Sequence, residues 1–255
     1  MDIPGRTRSA GRLAAFGAFT LSMLAGVQLN QRAVQEPARY AVWQRWMRAW
    51  TRGLLALFGV SPTLDPDTGA PPPQGARLVV SNHRSPLDIA LLLTYFGGHV
   101  LSRDDLANWP VIGLAARKSD TIFVDRNSAD SGLAAIRQIR QRLREGRTVI
   151  IYPEGRTFRG DEVREFHAGA FAAVRRLPVE LVPVGIAYDP GSEFFDESFM
   201  QHFARVAVRP QTRVAICFGP GRPAQGSAAE IAVEMHREVQ ELTNQARGIL
   251  SAREA

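Results

Sequence analysis

An apolar run, Leu78-Val79-Val80-Ser81, passes directly into Asn82-His83-Arg84-Ser85-Pro86-Leu87-Asp88, and this junction constrains the fold more than any other part of the chain. The run has the β-branched character of a buried strand, and the residues after it have the form of a helix start. Ser85 is placed to be the N-cap, Pro86 the first helical residue and Asp88 the third-position partner of a capping box. The helix then continues through Ile89, Leu92 and Phe96 and stops at Gly97-Gly98. So sharp a turn from strand to helix folds the chain back, bringing His83 and Asp88 within hydrogen-bond reach although five positions separate them. A carboxylate on one ring nitrogen fixes the imidazole tautomer and leaves the other nitrogen free to take a proton. The competing reading makes Asp88 a mere cap and His83 a loop histidine.

Later apolar runs also deliver polar residues at their ends. Asp120-Thr121-Ile122-Phe123-Val124 reads as a half-buried strand that carries Asp125-Arg126. Thr148 to Tyr152 is a buried strand running into Pro153-Glu154-Gly155-Arg156-Thr157-Phe158-Arg159-Gly160, and Val179 to Ile186 contains Val182-Pro183-Val184-Gly185. In these four blocks and their order, over about residues 75 to 220, the chain resembles the glycerolipid acyltransferase family, whose best-known members are 1-acylglycerol-3-phosphate acyltransferases.

The resemblance implies that His83 is the general base for the acceptor hydroxyl and Asp88 its orienting partner. It implies Arg126 as a ligand of an acceptor phosphate, and Lys118 as a basic residue in the same neighbourhood. Lys118 is the sole lysine among 31 basic residues. Family members usually read Phe-Pro-Glu-Gly-Thr-Arg-Ser in the third block. Here Tyr152-Pro153-Glu154-Gly155-Arg156-Thr157-Phe158 keeps Glu154 and Gly155, which the resemblance implies as acceptor contacts, but exchanges Thr and Arg, so Arg156 or Arg159 would supply the planar fork for an anionic group. Asp120 also stands where many members have Gly. Val182-Pro183-Val184 is expected to shape the site wall.

The implied reaction moves a fatty acyl group from an acyl thioester, acyl-CoA or acyl-ACP (acyl carrier protein), to the free hydroxyl of a lysophospholipid, with 1-acyl-sn-glycerol 3-phosphate the first choice of acceptor. These co-substrates aside, no cofactor is implied. The alternatives are another lysolipid acceptor, such as lyso-ornithine lipid, and a non-catalytic membrane lipid-binding protein. Direct transfer fits the residues, because there is no Gly-x-Ser-x-Gly elbow and the lone Cys217 lies in an apolar run. The five histidines lack metal-ligand spacing, so no metal is expected.

A formal charge of +6 with pI near 10.3 calls for an anionic partner. No aromatic-basic RNA motif, zinc-finger spacing or helix-turn-helix stands out, so a lipid bilayer ranks ahead of nucleic acid. Leu13 to Gln31 is an uncharged stretch at the lower limit for spanning a bilayer. Trp43, Trp46, Met47, Trp50, Leu54 and Leu57 share one helical face, with Arg45, Arg48 and Arg52 on another. That composition suits a helix lying among lipid headgroups, or one docked on the protein. The expected organisation is therefore membrane-associating helices over 1–60, a Pro- and Gly-rich linker over 61–75 and a catalytic domain over 76–255, held at the cytoplasmic face of the inner or plasma membrane. The fold class is α/β, a mixed β-sheet flanked by helices. Phe194, Phe195, Phe199 and Phe203 could line a channel for an acyl chain but read first as core, and the Ser227-x-x-Glu230 capping box opens a packing helix.

Overall fold

The structure is a computed structural model that describes residues 3–68, 75–108, 112–118, 121–125 and 127–252. It begins with two long helices, α1 (Ile3–Arg32) and α2 (Glu36–Leu57), followed by strands β1 (Val60–Leu64) and β2 (Arg77–Ser81), helix α3 (Leu87–Phe96) and strand β3 (His99–Arg103). Next come α4 (Ile112–Lys118), β4 (Ile122–Val124), α5 (Ala129–Arg144) and β5 (Thr148–Ile151). A 3₁₀ helix (Ala168–Val174) precedes β6 (Glu180–Tyr188), α6 (Phe199–Val208), β7 (Thr212–Phe218), β8 (Arg222–Pro223) and the C-terminal α7 (Ala228–Ser251).

The strands form one mixed sheet in the order β1-β7-β6-β2-β5-β3-β4, with β8 paired to β6. Strands β6, β2, β5, β3 and β4 are parallel; β7 and β8 run against β6, and β1 runs with β7. The expected mixed sheet with flanking helices is what the chain forms. Strand periodicity of two sorts the side chains into two cores. Val79, Ile150, Val182, Val184 and Ile186 face α2, α3 and α6. Leu78, Val80, Val149, Ile151 and Leu181 face α5, the 3₁₀ helix and α7.

Several expectations change here. Residues 61–64, assigned to a loose linker, belong to β1 at the edge of the sheet, where Val60 pairs with Thr212 and Leu64 with Ile216. The Pro71-Pro72-Pro73 run lies outside the described residues. The tryptophan face of α2 is turned toward protein: the Trp50 indole donates to Thr20 Oγ1 of α1 at 3.1 Å, and Met47, Leu54 and Leu55 join the core. The two N-terminal helices are therefore part of the folded body: the apolar face of α2 meets α1 and α3, and α1 lies against α2 and α6. Helix α1 remains long and apolar enough to cross a membrane, with Leu21 and Leu29 more than half exposed. On α5, Ile139 and Leu143 are buried against the sheet, while Leu133 faces out at 52% exposure.

Glycine matters where β6 meets α7. A Cβ on Gly185 would lie 2.2 Å from the Leu242 carbonyl carbon and 2.3 Å from the Thr243 nitrogen, both backbone atoms that cannot swing aside. Gly185→Ala should therefore force α7 off the sheet, at a cost of about 1–3 kcal/mol, read as a lower urea midpoint with an unchanged slope.

Candidate active site

The parallel strands β2, β5 and β6 end on the same side of the sheet, where open α/β sheets place their ligands. The chain leaves β2 through Asn82, whose buried amide accepts from the Ile186 N–H at 2.9 Å and donates to the Ile186 carbonyl at 2.8 Å. The side chain thus continues the ladder after the backbone has turned away. His83 comes next, and its Nδ1 lies 2.8 Å from Asp88 Oδ2.

The cap that makes this possible differs slightly from expectation. The helix starts at Leu87 with Pro86 at the N-cap, and Ser85 Oγ accepts from the Leu87 N–H at 3.3 Å. The reciprocal half is present, since Asp88 Oδ2 accepts from the Ser85 N–H at 2.9 Å and the Arg84 N–H at 2.6 Å. The other oxygen, Oδ1, accepts from the Tyr188 hydroxyl at 2.7 Å. Burial, with the Asp88 charge adding to it, pushes the Tyr188 phenol well above its ordinary value, so it stays a donor. Asp88 is fully buried and its Oδ2 already accepts from two backbone N–H groups, so an Nδ1–H donor on His83 suits the pair and leaves Nε2 as the ring nitrogen that the carboxylate does not hold. The ring is stacked on Tyr152 with centroids 4.2 Å apart and an interplanar angle of 19°.

Glu154 has a different role from the expected acceptor contact. Its side chain is wholly buried, and Oε1 accepts from the His83 N–H at 2.7 Å while Oε2 accepts from the Arg164 N–H at 2.9 Å. Both oxygens take bonds from the Arg84 guanidinium, at 2.9 and 3.1 Å. Arg84 was not singled out in the sequence, yet it is 1% exposed and also donates to the carbonyls of His83, Gly160 and Glu162. The pair clamps the β5 loop to the His83 turn. Gly155 has φ +80°, a left-handed conformation that lets the loop reverse just after Glu154.

That loop returns to the His83 turn where the Phe158 N–H donates to the His83 carbonyl at 3.2 Å. Its arginines are exposed: Arg156 lies over the Phe158 ring at 5.0 Å and Arg159 over Phe195 at 5.1 Å. Lys118 is exposed in the last turn of α4. Arg126 and Asp120 lie outside the described residues. Val182 and Val184, expected in the site wall, are core residues of β6.

Beside the turn lies an apolar cleft of about 1000 Å³, counting the part open to solvent. Phe16, Trp50, Leu54, Ala90, Leu93 and Phe203 contribute walls from α1, α2, α3 and α6, and Pro86 and Leu87 bring it against the His83 turn. Phe199 and Phe203, for which the sequence favours core over an acyl-chain channel, both line it. So does His202, whose Nε2 is 3.0 Å from Ser85 Oγ and whose Nδ1 is 3.0 Å from Glu197 Oε1.

These features agree with what the chain is similar to. Residues 68–187 match the family described as Acyltransferase. A lyso-ornithine lipid O-acyltransferase of Pseudomonas aeruginosa is 32% identical over 243 residues, covering 91% of this chain and 90% of that protein. The chain belongs to the acyltransferase family. A second lyso-ornithine lipid O-acyltransferase, from Rhodobacter capsulatus, is 28% identical over 86% of this chain and 84% of its own. The 1-acyl-sn-glycerol-3-phosphate acyltransferase of Neisseria meningitidis is 28% identical over 54% of this chain and 53% of its own. The crystal structure of a 1-acyl-sn-glycerophosphate acyltransferase from Thermotoga maritima shares the fold, with a TM-score of 0.66 at 17% identity over 96% of this chain and 98% of that one. The protein is accordingly an O-acyltransferase of the lyso-lipid type.

The buried histidine of the cleft carries a pH signature for stability. Burial holds His202 below its ordinary value, against an opposing hydrogen bond to Glu197. The unfolded chain takes up this proton near pH 6.5 and the folded chain only at lower pH, so the unfolded state binds more protons between the two values. Stability should therefore fall as pH drops through about 6.5. Glu197, held low first by its hydrogen bond to Arg205 and also by that to His202, should add a second loss as pH falls below its ordinary value of 4.5. Urea midpoints in an acid series check this, and His202→Gln should remove the upper step.

Proposed function

We propose that the protein transfers a fatty acyl group from an acyl thioester to the free hydroxyl of a lyso-lipid, with His83 as general base and Asp88 as its orienting carboxylate. The observation that carries this is the His83–Asp88 pair set beside an apolar cleft whose wall includes Pro86 and Leu87 from the same turn. The acyl chain would occupy the cleft. Nε2 of His83 removes the proton as the acceptor oxygen attacks the thioester carbonyl. The tetrahedral oxyanion then collapses, the carbon–sulfur bond breaks, and the imidazolium returns its proton to the departing thiolate. Asp88 stabilises the imidazolium between those steps. A lipid-binding protein without chemistry would need neither group.

For the acceptor, lyso-ornithine lipid is favoured over 1-acyl-sn-glycerol 3-phosphate. The lyso-ornithine lipid acyltransferases of Pseudomonas and Rhodobacter align along nearly the whole chain, whereas the Neisseria glycerol-phosphate enzyme aligns along about half. The exchange of Thr and Arg at positions 156 and 157 falls where an acceptor anion would bind. The glycerol-phosphate reading keeps its support from Arg156 and Arg159, which make no ion pair among the described residues and can offer donors to a phosphate. The donor is acyl-CoA or acyl-ACP. The enzyme works at a lipid surface, where α1 offers exposed Leu21 and Leu29 to the bilayer and the catalytic turn faces the cytoplasm.

Both lyso-lipids offered to the full chain in mixed micelles, with acyl-CoA and acyl-ACP in separate arms, test the assignment. The expected result is a kcat/KM for lyso-ornithine lipid higher by about 10-fold or more. The reverse ratio would assign the glycerol phosphate.

A further inference from the structure

Helix α6 touches the catalytic turn through one buried group that the proposed reaction does not use. His202 is 2% exposed and lines the apolar cleft. Its Nε2 meets Ser85 Oγ at 3.0 Å, the Ser85 N–H donates to Asp88 Oδ2 at 2.9 Å, and Asp88 Oδ2 meets His83 Nδ1 at 2.8 Å. A continuous polar chain thus runs from the cleft wall to the base. On its far side, His202 Nδ1 faces Glu197 Oε1 at 3.0 Å and Arg205 Nη2 at 3.0 Å. Arg205 in turn donates to the Glu193 carbonyl at 2.7 Å and to both Glu197 oxygens, so the segment ahead of α6 is tied to the same ring.

This is an unusual place for an imidazole. The rest of the cleft wall is almost entirely apolar, and a leucine there would extend the apolar wall without a buried polar group to satisfy. What a leucine cannot do is hold the Ser85 hydroxyl, which also accepts from the Leu87 N–H at the first turn of α3. With Ser85 freed to rotate, the turn that presents Asp88 to His83 loses a fixed point. A misplacement on the scale of an ångström is enough to slow a positioned proton transfer.

We propose that His202 is a positioning residue for acyl transfer: it ties the acyl-chain cleft to the His83–Asp88 pair through Ser85, so that the base is aligned by the wall that holds the donor chain. The proposal rests on the acyltransferase reading. It goes beyond that reading by assigning turnover to a residue outside the four sequence blocks.

The test uses the full chain with acyl thioester and lyso-lipid, comparing wild type with His202→Leu, His202→Gln, Ser85→Ala and the Ser85→Ala/His202→Leu double variant. His202→Leu should lower kcat by about 10- to 100-fold while the KM for the acyl donor changes by less than about 3-fold. His202→Gln, whose amide can still bond Ser85, should recover most of that loss, which loss of cleft shape alone would not allow. The double variant should be no slower than the slower single variant, because both remove one link of the same chain. A readout independent of turnover is the 15N shift of the His83 ring, which should move in His202→Leu and return in His202→Gln. An unchanged kcat in a folded His202→Leu protein, additive losses in the double variant, or a loss confined to donor KM would overturn the proposal. If His202→Leu does not fold, Ser85→Ala and His202→Gln decide it: Ser85→Ala must lose turnover and shift the His83 signal, while His202→Gln must keep both. No transfer by the wild type would instead fail the acyltransferase reading itself, and the coupling with it, whereas wild-type transfer with these variants unaffected fails the coupling alone.

Discussion

His83→Ala should lower acyl transfer by about 10²- to 10⁴-fold, the range for loss of a positioned general base, and leave the thermal midpoint close to that of the wild type. The ring is largely buried, but its removal strands no strong acceptor, because Asp88 retains the N–H groups of Arg84 and Ser85 and the Tyr188 hydroxyl. The Asp88 variants separate orientation from charge. In Asp88→Asn, the amide oxygen can take the three N–H donors that now face Oδ2, and the amide NH₂ can donate to the Tyr188 oxygen. That protein should fold with His83 still oriented and lose rate only because the imidazolium is no longer matched by a carboxylate. Asp88→Ala leaves the donors of Arg84, Ser85 and Tyr188 without partners in a buried site, so it should lose both rate and stability. Rate and melting measured on the same preparations distinguish the cases.

The second large effect is structural and falls on Glu154. Removing this carboxylate leaves the Arg84 guanidinium buried without its counter-charge and the His83 and Arg164 N–H groups without acceptors. Breaking one half of a buried ion pair costs about 3–5 kcal/mol. Glu154→Ala should therefore unfold at a markedly lower denaturant concentration, and its activity should be lost because the β5 loop no longer holds the His83 turn. A variant that folds as the wild type does but binds the lyso-lipid more weakly would return Glu154 to the acceptor-contact role expected from sequence.

The difference between those two roles shows what the sequence could convey. The His83–Asp88 approach was legible because it is local: five positions, a strand end and a helix start leave few other geometries. The strands that carry the four blocks were legible from their β-branched runs, whereas β1 was read as linker, and the C-terminal helix was legible from Ser227 and Glu230, which form both halves of the capping box. Arg84 and Glu154 are 70 positions apart, and nothing in either neighbourhood announces that a charged residue will be buried. The chain from His202 to Ser85 spans 117 positions and is equally silent in sequence. Phe199 and Phe203 sit on an ordinary amphipathic stripe, which looks the same whether it packs against a core or borders a cleft. The tryptophans of α2 were ambiguous for the same reason, since an apolar helical face reads alike whether its partner is lipid or protein, and here α1 and α3 take that place.

Acyl transfer itself, measured with and without the proposed base, tests the mechanism most directly. Purified full-length protein would be given long-chain acyl-CoA and acyl-ACP with lyso-ornithine lipid or 1-acyl-sn-glycerol 3-phosphate, with wild type and His83→Ala side by side. The expected result is an ester product from the wild type, faster with lyso-ornithine lipid, and a rate lower by about 10²-fold or more in the variant. Equal rates from both proteins would remove His83 as the base, and no ester from any combination, with vesicle binding intact, would contradict the enzymatic reading altogether.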